Sequence, residues 1–144
     1  MTRLQKDECR LLADSAVKAR ENAYAPYSGF KVGAALITQG GKLYTGCNVE
    51  NAAFSPSNCA ERTAFFKAVS EGERAFRAIA VAGWKDNTTG FAWPCGVCRQ
   101  VMMEFCCPDT FEIIVTNGKD HEHRTLRELL PEGFGPDNIM DFRV

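Results

Sequence analysis

The sequence predicts an α/β protein: a three-layer α/β/α sandwich around a mixed sheet of about five strands. Two apolar, strand-like segments flank the turn Gln39-Gly40-Gly41 and predict a β-hairpin. Strand-like and helix-like segments then alternate along the chain, as in folds whose helices pack on a sheet. The 144 residues, 45% hydrophobic and 24% charged, are predicted to form one domain spanning 1–144.

The first half of the chain is predicted to fold as a helix, a hairpin and a second helix. The first helix should end before Pro26, because the residue preceding a proline avoids the helical region. Small side chains around Gly33 indicate that another element packs closely on the first hairpin strand. The predicted elements are an amphipathic helix over 2–22, strands over 30–38 and 42–49, and a buried helix that begins near Cys59 and includes 63–69.

The second half of the chain is predicted to alternate strands and helices. An apolar strand is followed by a polar surface loop, a helix stopped by Pro108, another strand, a turn and a short edge strand. The predicted ranges are a strand over 78–82, a loop over 83–93, a helix over 96–105, strands over 111–116 and 121–125, a short helix over 126–130 and a tail over 131–144.

Charge and cysteine content restrict the classes of function. Seventeen basic and eighteen acidic residues give a net charge of −1, which disfavours a polynucleotide partner and fits a small ligand. The charged N-terminus does not resemble a signal peptide, and no apolar segment has the length of a membrane span, so a cytoplasmic protein is expected. Seven cysteines in such a chain indicate metal binding or free thiols rather than disulfides.

Three cysteines form a candidate metal site. Pro94-Cys95-Gly96-Val97-Cys98 contains a Cys-x-x-Cys pair, which favours a zinc half-site over a redox dithiol at this place in the chain. Cys59 lies near a helix start that Ser57 or Asn58 is predicted to cap. The two helix starts would converge if the strands before them were neighbours. Three thiolates around Zn²⁺ would leave its fourth position open for catalysis.

A closed structural zinc site is the alternative. It needs a fourth protein ligand, and the sequence offers Cys106, Cys107, His121 and His123. Cys106 and Cys107 lie roughly 12 Å beyond Cys98 along the helix, too far to share one ion, and core packing is their expected role. The two histidines lie beside a turn and are expected to be solvated. The open site is therefore favoured.

Two residues next to Cys59 have predicted roles. Three thiolates exceed the charge of Zn²⁺ by one, so Arg62 is expected to balance charge by hydrogen bonding to the sulfurs. Glu61, one residue removed from a ligand, can reach the open side of the metal without binding it. A carboxylate there can move a proton from zinc-bound water to a substrate nitrogen.

The sequence resembles the small homotetrameric cytidine deaminases, which use three cysteines to bind zinc. The resemblance implies zinc-dependent hydrolytic deamination of cytidine and deoxycytidine to uridine and deoxyuridine in pyrimidine salvage. It implies that zinc-bound hydroxide attacks C4 while Glu61 shuttles protons. The matching segments are 24–35, Gly46-Cys47-Asn48-Val49-Glu50-Asn51-Ala52-Ala53-Phe54, Cys59-Ala60-Glu61-Arg62-Thr63-Ala64, Pro94-Cys95-Gly96-Val97-Cys98-Arg99-Gln100, and Leu129-Leu130-Pro131 with Phe134.

The resemblance also implies how the nucleoside is bound. Asn48 and Glu50 match residues that hold the ribose 3′-hydroxyl, and Phe30 matches an aromatic near the base. The backbone N–H of Ala60 matches a contact to the pyrimidine O2. Phe134 matches an aromatic lent by a neighbouring subunit, which implies a homotetramer with shared sites.

Two departures and two rival functions accompany the resemblance. Phe54 stands where many relatives have Tyr, and Trp93 where a small residue such as Ser is usual. One rival is a related deaminase acting on a modified nucleoside or on blasticidin, although Asn48 and Glu50 favour a free ribose. The other is a non-catalytic, zinc-stabilised nucleoside-binding module.

Overall fold

The computed structural model describes residues 3–140, which form a mixed five-stranded sheet with helices on both faces. The predicted α/β/α sandwich is confirmed. Position 2 of the predicted first helix and positions 141–144 of the predicted tail lie outside the described residues. The elements are α1 Lys6–Arg20, β1 Phe30–Thr38, β2 Leu43–Cys47, α2 Ala60–Ser70, β3 Phe76–Lys85, α3 Gly96–Phe105, β4 Glu112–Thr116, β5 His121–Thr125, α4 Leu126–Leu129 and a 3₁₀ turn at Pro136–Asn138.

The strands are ordered β2-β1-β3-β4-β5 across the sheet. β1 is antiparallel to both of its neighbours, and β5 is an antiparallel edge strand beside β4. β3 and β4 are parallel, so they need a crossover connection, which α3 supplies. β3 is longer than the predicted 78–82, because it pairs along β1 as far as Phe30 opposite Lys85. The predicted loop over 83–93 therefore begins only after Lys85.

Each face of the sheet has its own hydrophobic core. On one face α1 buries Leu12 and Ala16 against residues such as Ile114. On the other face α2 and α3 bury Phe65 and Met102 against the same sheet. Burying a side chain of this size contributes about 1.5–3 kcal/mol, so both helix layers are held mainly by apolar burial.

Two strand glycines let the helices approach the sheet closely. A Cβ atom on Gly33 would lie 2.1 Å from the Ala16 carbonyl oxygen of α1. A Cβ atom on Gly46 would lie 2.6 Å from the Ala60 carbonyl oxygen and 2.6 Å from the Ala64 nitrogen of α2. The close packing predicted around Gly33 is confirmed, and Gly46 places the start of α2 directly on β2.

The sheet brings the starts of α2 and α3 to one edge. The sequence argument had the helix starts converge if the strands before them were neighbours, but β1 lies between β2 and β3. Both are antiparallel to β1, however, so their carboxyl ends share one edge of the sheet. The segments leaving those ends lead to Cys59 and Cys95, and β1 begins there with Phe30. Within residues 3–140, no helix has the length and apolar character needed to cross a membrane.

Candidate metal centre and active site

Three thiols meet at the edge where α2 and α3 begin. Cys59 is the N-cap of α2, Cys95 is the N-cap of α3, and Cys98 lies in the first turn of α3. Their sulfur atoms all lie within 4.8 Å of one another. The prediction that Ser57 or Asn58 caps α2 was wrong, because Cys59 itself has the extended backbone of a cap residue, with φ −74° and ψ 156°.

The spacing of the sulfurs fits a tetrahedral zinc ion. Zn–S bonds of about 2.3 Å at tetrahedral angles place two sulfurs roughly 3.8 Å apart. The Cys59 and Cys95 sulfurs lie 3.7 Å apart, too far for a disulfide and right for two ligands of one ion. Within the described part of the chain, no fourth His, Cys, Asp or Glu joins the group. The donor set therefore leaves room for one further ligand.

The surroundings of the thiols favour negative charge. Nη2 of Arg62 donates a hydrogen bond to Cys59 Sγ at 3.1 Å. A hydrogen bond from the Cys98 thiol, with help from Arg62, lowers the pKa of Cys59 to about 5. The same bond raises the pKa of Cys98, which gives up its proton only after Cys59. The positive ends of α2 and α3 also point at the cluster, so the site can hold thiolates around a cation.

Arg62 lies where the sequence placed it, against the sulfurs. Its Nε atom is buried and has no hydrogen-bond partner among residues 3–140. Burial lowers the pKa of the guanidinium, but hydrogen bonds to Cys59 and Cys98 outweigh that effect and raise it. The side chain is thus a permanent positive charge beside the thiols.

Glu61 is a buried carboxyl group beside the same cluster. The residue is only 4% exposed, in the first turn of α2. Burial, reinforced by the nearby charge of Cys59, raises its pKa to about 7. The neighbouring Cys98 side chain lowers that pKa in part, without cancelling the effect of burial. Glu61 can therefore hold or release a proton near neutral pH, as a proton shuttle requires.

A cleft of about 420 Å³ connects Cys59 and Arg62 with polar side chains of the segment after β2. Its lining brings together residues that are up to 49 positions apart, from Asn48 to Val97. Several predicted site residues are not among its lining residues: Phe30, Ala60, Glu61, Cys95, Cys98 and Phe134. The cleft is lined by Asn48, Glu50, Phe54, Ser55, Ser57, Asn58, Cys59, Arg62 and Val97.

Asn48 is fixed by the backbone of β1. Its Oδ1 accepts a hydrogen bond from the Val32 N–H at 2.8 Å, and its Nδ2 donates to the Phe30 carbonyl at 2.8 Å. An amide group has one further N–H and one further lone pair to offer. Asn48 thus connects the start of β1 to the cleft and keeps hydrogen-bonding capacity for a ligand.

Glu50 organises the loop that precedes β1. Its Oε1 accepts hydrogen bonds from the N–H groups of Tyr27 at 2.9 Å and Ser28 at 3.1 Å, and its Oε2 accepts one from the Ser28 hydroxyl. These bonds, those of Ser28 first, lower the pKa of Glu50. The sequence argument assigned no role to Ser28. The sequence signal that could have indicated a role for Ser28 was its position between the tyrosine-containing loop and Phe30.

The remaining predicted substrate-binding residues, Ala60, Phe30 and Phe134, do not line the cleft. Ala60 is the first residue of α2, where a backbone N–H has no acceptor within its own helix. Phe30 is 38% exposed at the start of β1. Phe134 is 58% exposed on the tail, and the Gln100 side chain donates to its carbonyl at 2.9 Å. The described chain alone therefore does not bring the Phe134 ring into its own cleft.

Comparisons with known proteins agree with this site. Residues 6–113 match the family model described as the cytidine and deoxycytidylate deaminase zinc-binding region. A cytidine deaminase of Sporosarcina psychrophila is 52% identical over 131 residues, covering 90% of this chain and 93% of the relative. A cytidine deaminase of Halalkalibacterium halodurans is 46% identical, covering 92% and 98%. The crystal structure of a cytidine deaminase from Burkholderia pseudomallei superposes with a TM-score of 0.80 at 52% identity, covering 87% of this chain and 98% of that one.

Proposed function

Because the chain belongs to the family of cytidine and deoxycytidylate deaminases, we propose that it hydrolyses cytidine and deoxycytidine to uridine and deoxyuridine, releasing ammonia. One observation carries this function: three thiols within 4.8 Å of one another lie beside the buried carboxyl group of Glu61. The protein is a zinc-dependent hydrolase acting on the C–N bond of a cyclic amidine. Its product fits pyrimidine salvage.

Cys59, Cys95 and Cys98 hold the zinc ion as thiolates. The bound ion supplies the Lewis acidity that makes water a nucleophile at neutral pH. Three thiolates exceed its charge by one, and Arg62 with the N-termini of α2 and α3 offsets that excess.

Glu61 moves the protons of the reaction. With a pKa of about 7 it can take a proton from the attacking water and give it to N3 of the pyrimidine. The same carboxylate then takes the second proton from the hydroxyl group added at C4 and passes it to the departing amine, which leaves as ammonia. The Ala60 N–H, at the start of α2, donates to the pyrimidine O2, and Phe30 lies against the base.

Asn48 and Glu50 bind the ribose 3′-hydroxyl. The carboxylate of Glu50 keeps acceptor sites beyond its three bonds to the 27–28 loop, and Asn48 keeps one N–H. Phe134 acts in the cleft of a neighbouring subunit. The functional molecule is then a cytoplasmic homotetramer whose chains each form a single domain over 1–144.

The test is a cytidine assay combined with a zinc measurement. Purified protein should contain about one zinc per chain, deaminate cytidine and deoxycytidine, and release equal amounts of ammonia. Glu61→Gln should keep the zinc and lower kcat by roughly 10²- to 10⁴-fold, because it cannot transfer the proton. Absence of turnover with both nucleosides in the parent protein would contradict the proposal.

The same assay separates the rival functions. Turnover of blasticidin or of a modified nucleoside, without turnover of cytidine, would indicate another deaminase of the superfamily. A non-catalytic binding module would bind nucleoside and zinc with no deamination in the parent protein. Asn48 and Glu50, both lining the cleft, favour a nucleoside with a free ribose.

A further inference from the structure

We propose that Gln100, together with Arg99, positions Phe134 for substrate binding, an inference that rests on the proposed function. Gln100 lies on α3, two residues after Cys98. Its Nε2 donates a hydrogen bond to the Phe134 carbonyl oxygen at 2.9 Å. The helix that carries a zinc ligand therefore also holds the backbone of an exposed aromatic residue.

Arg99 ties the same tail to the metal-binding loop. Its Nε donates to the carbonyl oxygen of Pro94 at 2.7 Å, directly before Cys95. Its Nη1 donates to the carbonyl oxygen of Leu129 at 2.6 Å, at the end of α4. Hydrogen bonds from a charged donor are shorter and stronger than neutral ones. One part-buried guanidinium thus joins the loop that carries Cys95 to the point where the tail begins.

The Gln100 bond holds the main chain of Phe134 itself, where burial adds little. The residue lies between Gly133 and Gly135 and is 58% exposed, so burial does not immobilise its ring. Both neighbouring glycines pack closely: a Cβ atom on Gly133 would lie 3.0 Å from Leu130 Cγ, and one on Gly135 would lie 3.0 Å from Met103 Cε of α3. The Gln100 bond therefore fixes the tail at the residue whose side chain is to meet substrate. Prepositioning a contact group lowers the entropy lost on binding.

Loss of the anchor should weaken substrate binding without disturbing the metal. Gln100→Met keeps the length of the side chain and removes the donor, so we expect KM for cytidine to rise roughly three- to tenfold. kcat and zinc content should stay at the parent values, since no zinc ligand or proton-transfer group changes. Gln100→Lys, which can still donate to the carbonyl, should restore most of the lost affinity.

The matched control is Gln39→Met. Gln39 also donates a side-chain N–H to a main-chain carbonyl, that of Phe76 at 3.0 Å, but it lies at the tip of the hairpin. The Gln39→Met variant should therefore leave KM for cytidine unchanged. An equal rise in KM for the two methionine variants would overturn the positioning role of Gln100.

A double-mutant cycle with Phe134→Ala shows whether Gln100 acts through that ring. If it does, Gln100→Met has no further effect on KM once Phe134 is alanine. An equal effect of Gln100→Met in both backgrounds overturns the proposal.

Hydrogen exchange over 131–140, measured without substrate, distinguishes this proposal from the proposed function. Faster exchange there in Gln100→Met supports the anchor, and unchanged exchange overturns it, whatever the protein turns over. A parent protein that does not deaminate cytidine contradicts the proposed function instead.

Discussion

At the scale of single residues, burial gives two carboxyl groups of one site different properties. Glu61 is 4% exposed, and desolvation raises its pKa to about 7. Glu50 is half-buried, and hydrogen bonds from Ser28 and Tyr27 lower its pKa. The first can exchange a proton near neutral pH, whereas the second remains a charged acceptor suited to a hydroxyl group. Divergent pKa values of this kind commonly separate acid–base groups from binding groups.

Burial also separates the two adjacent cysteines at the end of α3. Core packing was the expected role for both, and this is confirmed only for Cys106, which is 5% exposed. It was wrong for Cys107, which is exposed. The helix ends at Cys106, whose extended backbone, with φ −123° and ψ 147°, turns the next residue outward. The sequence shows only two adjacent cysteines, and it does not reveal that the backbone changes direction between them.

Cys106 should make stability depend on pH in the alkaline range. Burial raises its pKa well above the ordinary value, so the folded thiol stays protonated where the unfolded thiol ionises, above pH about 8.5. The raised pKa means that its contribution to stability is complete below that pH and is lost as pH rises. Relative to Cys106→Ala, the free energy of unfolding of the parent should fall by at most about 1.4 kcal/mol per pH unit.

Urea unfolding of both proteins between pH 7 and 10 measures this difference. The zinc ligands are present in both chains, so their titration cancels in the comparison. Cys107→Ala is the matched control, and it should show the same slope as the parent. Parallel curves for the parent and Cys106→Ala would show that the thiol is not buried as described.

At the scale of elements, the site depends on where two helices begin. Cys59 and Cys95 are both N-cap residues, so the metal ligands and the positive helix ends coincide. Gly46 fixes one of these starts, because the absence of a side chain lets the first turn of α2 lie directly on β2. The geometry of the thiols is therefore set by the contact between strand and helix, as well as by the cysteines themselves.

Gly46→Ala should impair both stability and zinc binding. The added methyl group would meet Ala60 O and Ala64 N at 2.6 Å, so α2 must move away with Cys59. Overpacking of this kind costs typically about 1–3 kcal/mol. Urea unfolding measures the stability, and chelator competition on folded protein measures the zinc affinity, which should fall.

Gly33→Ala serves as the matched control. It creates a comparable clash, with Ala16 O at 2.1 Å, but on α1, which carries no metal ligand. It should lose stability and keep its zinc affinity once folded. If both variants lost zinc equally, the effect would be global destabilisation and not displacement of α2.

Local sequence signals predicted the bounds of some elements correctly. They failed where pairing between strands decides how far an element extends. β1, α3 and β5 have the predicted bounds, because glycine, proline and turn residues mark their ends. β3 was predicted too short, since its outer residues are strand only by pairing with β1. Likewise the motifs predicted the thiol cluster, but the bonds from Asn48 to β1 and from Arg99 to the tail depend on tertiary placement.

At the scale of the whole molecule, a large share of the aromatic surface is exposed. Seven aromatic residues within 3–140 are more than a third exposed, among them Tyr27, Phe54 and Phe134. Phe54 also has a φ of 62°, which costs about 1–3 kcal/mol for a bulky residue, and it packs edge to face on Tyr27. Exposed apolar groups beside a cleft are typical of an association surface. This surface supports the proposed tetramer, whose expected mass is that of four chains.

If neighbouring subunits share sites, two impaired variants should restore each other. Glu61→Gln lacks the proton shuttle but keeps Phe134, and Phe134→Ala keeps the shuttle but lacks the aromatic ring. In a mixed tetramer, a Phe134→Ala chain can receive Phe134 from a Glu61→Gln neighbour, which completes its cleft. Co-expressed chains should therefore show a kcat/KM for cytidine well above the sum of the separately purified variants. Glu61→Gln co-expressed with a chain carrying Glu61→Gln and Phe134→Ala is the control and should be no more active than Glu61→Gln alone. Mixed tetramers of confirmed composition with only the summed activity would place Phe134 in the cleft of its own chain, or outside the site.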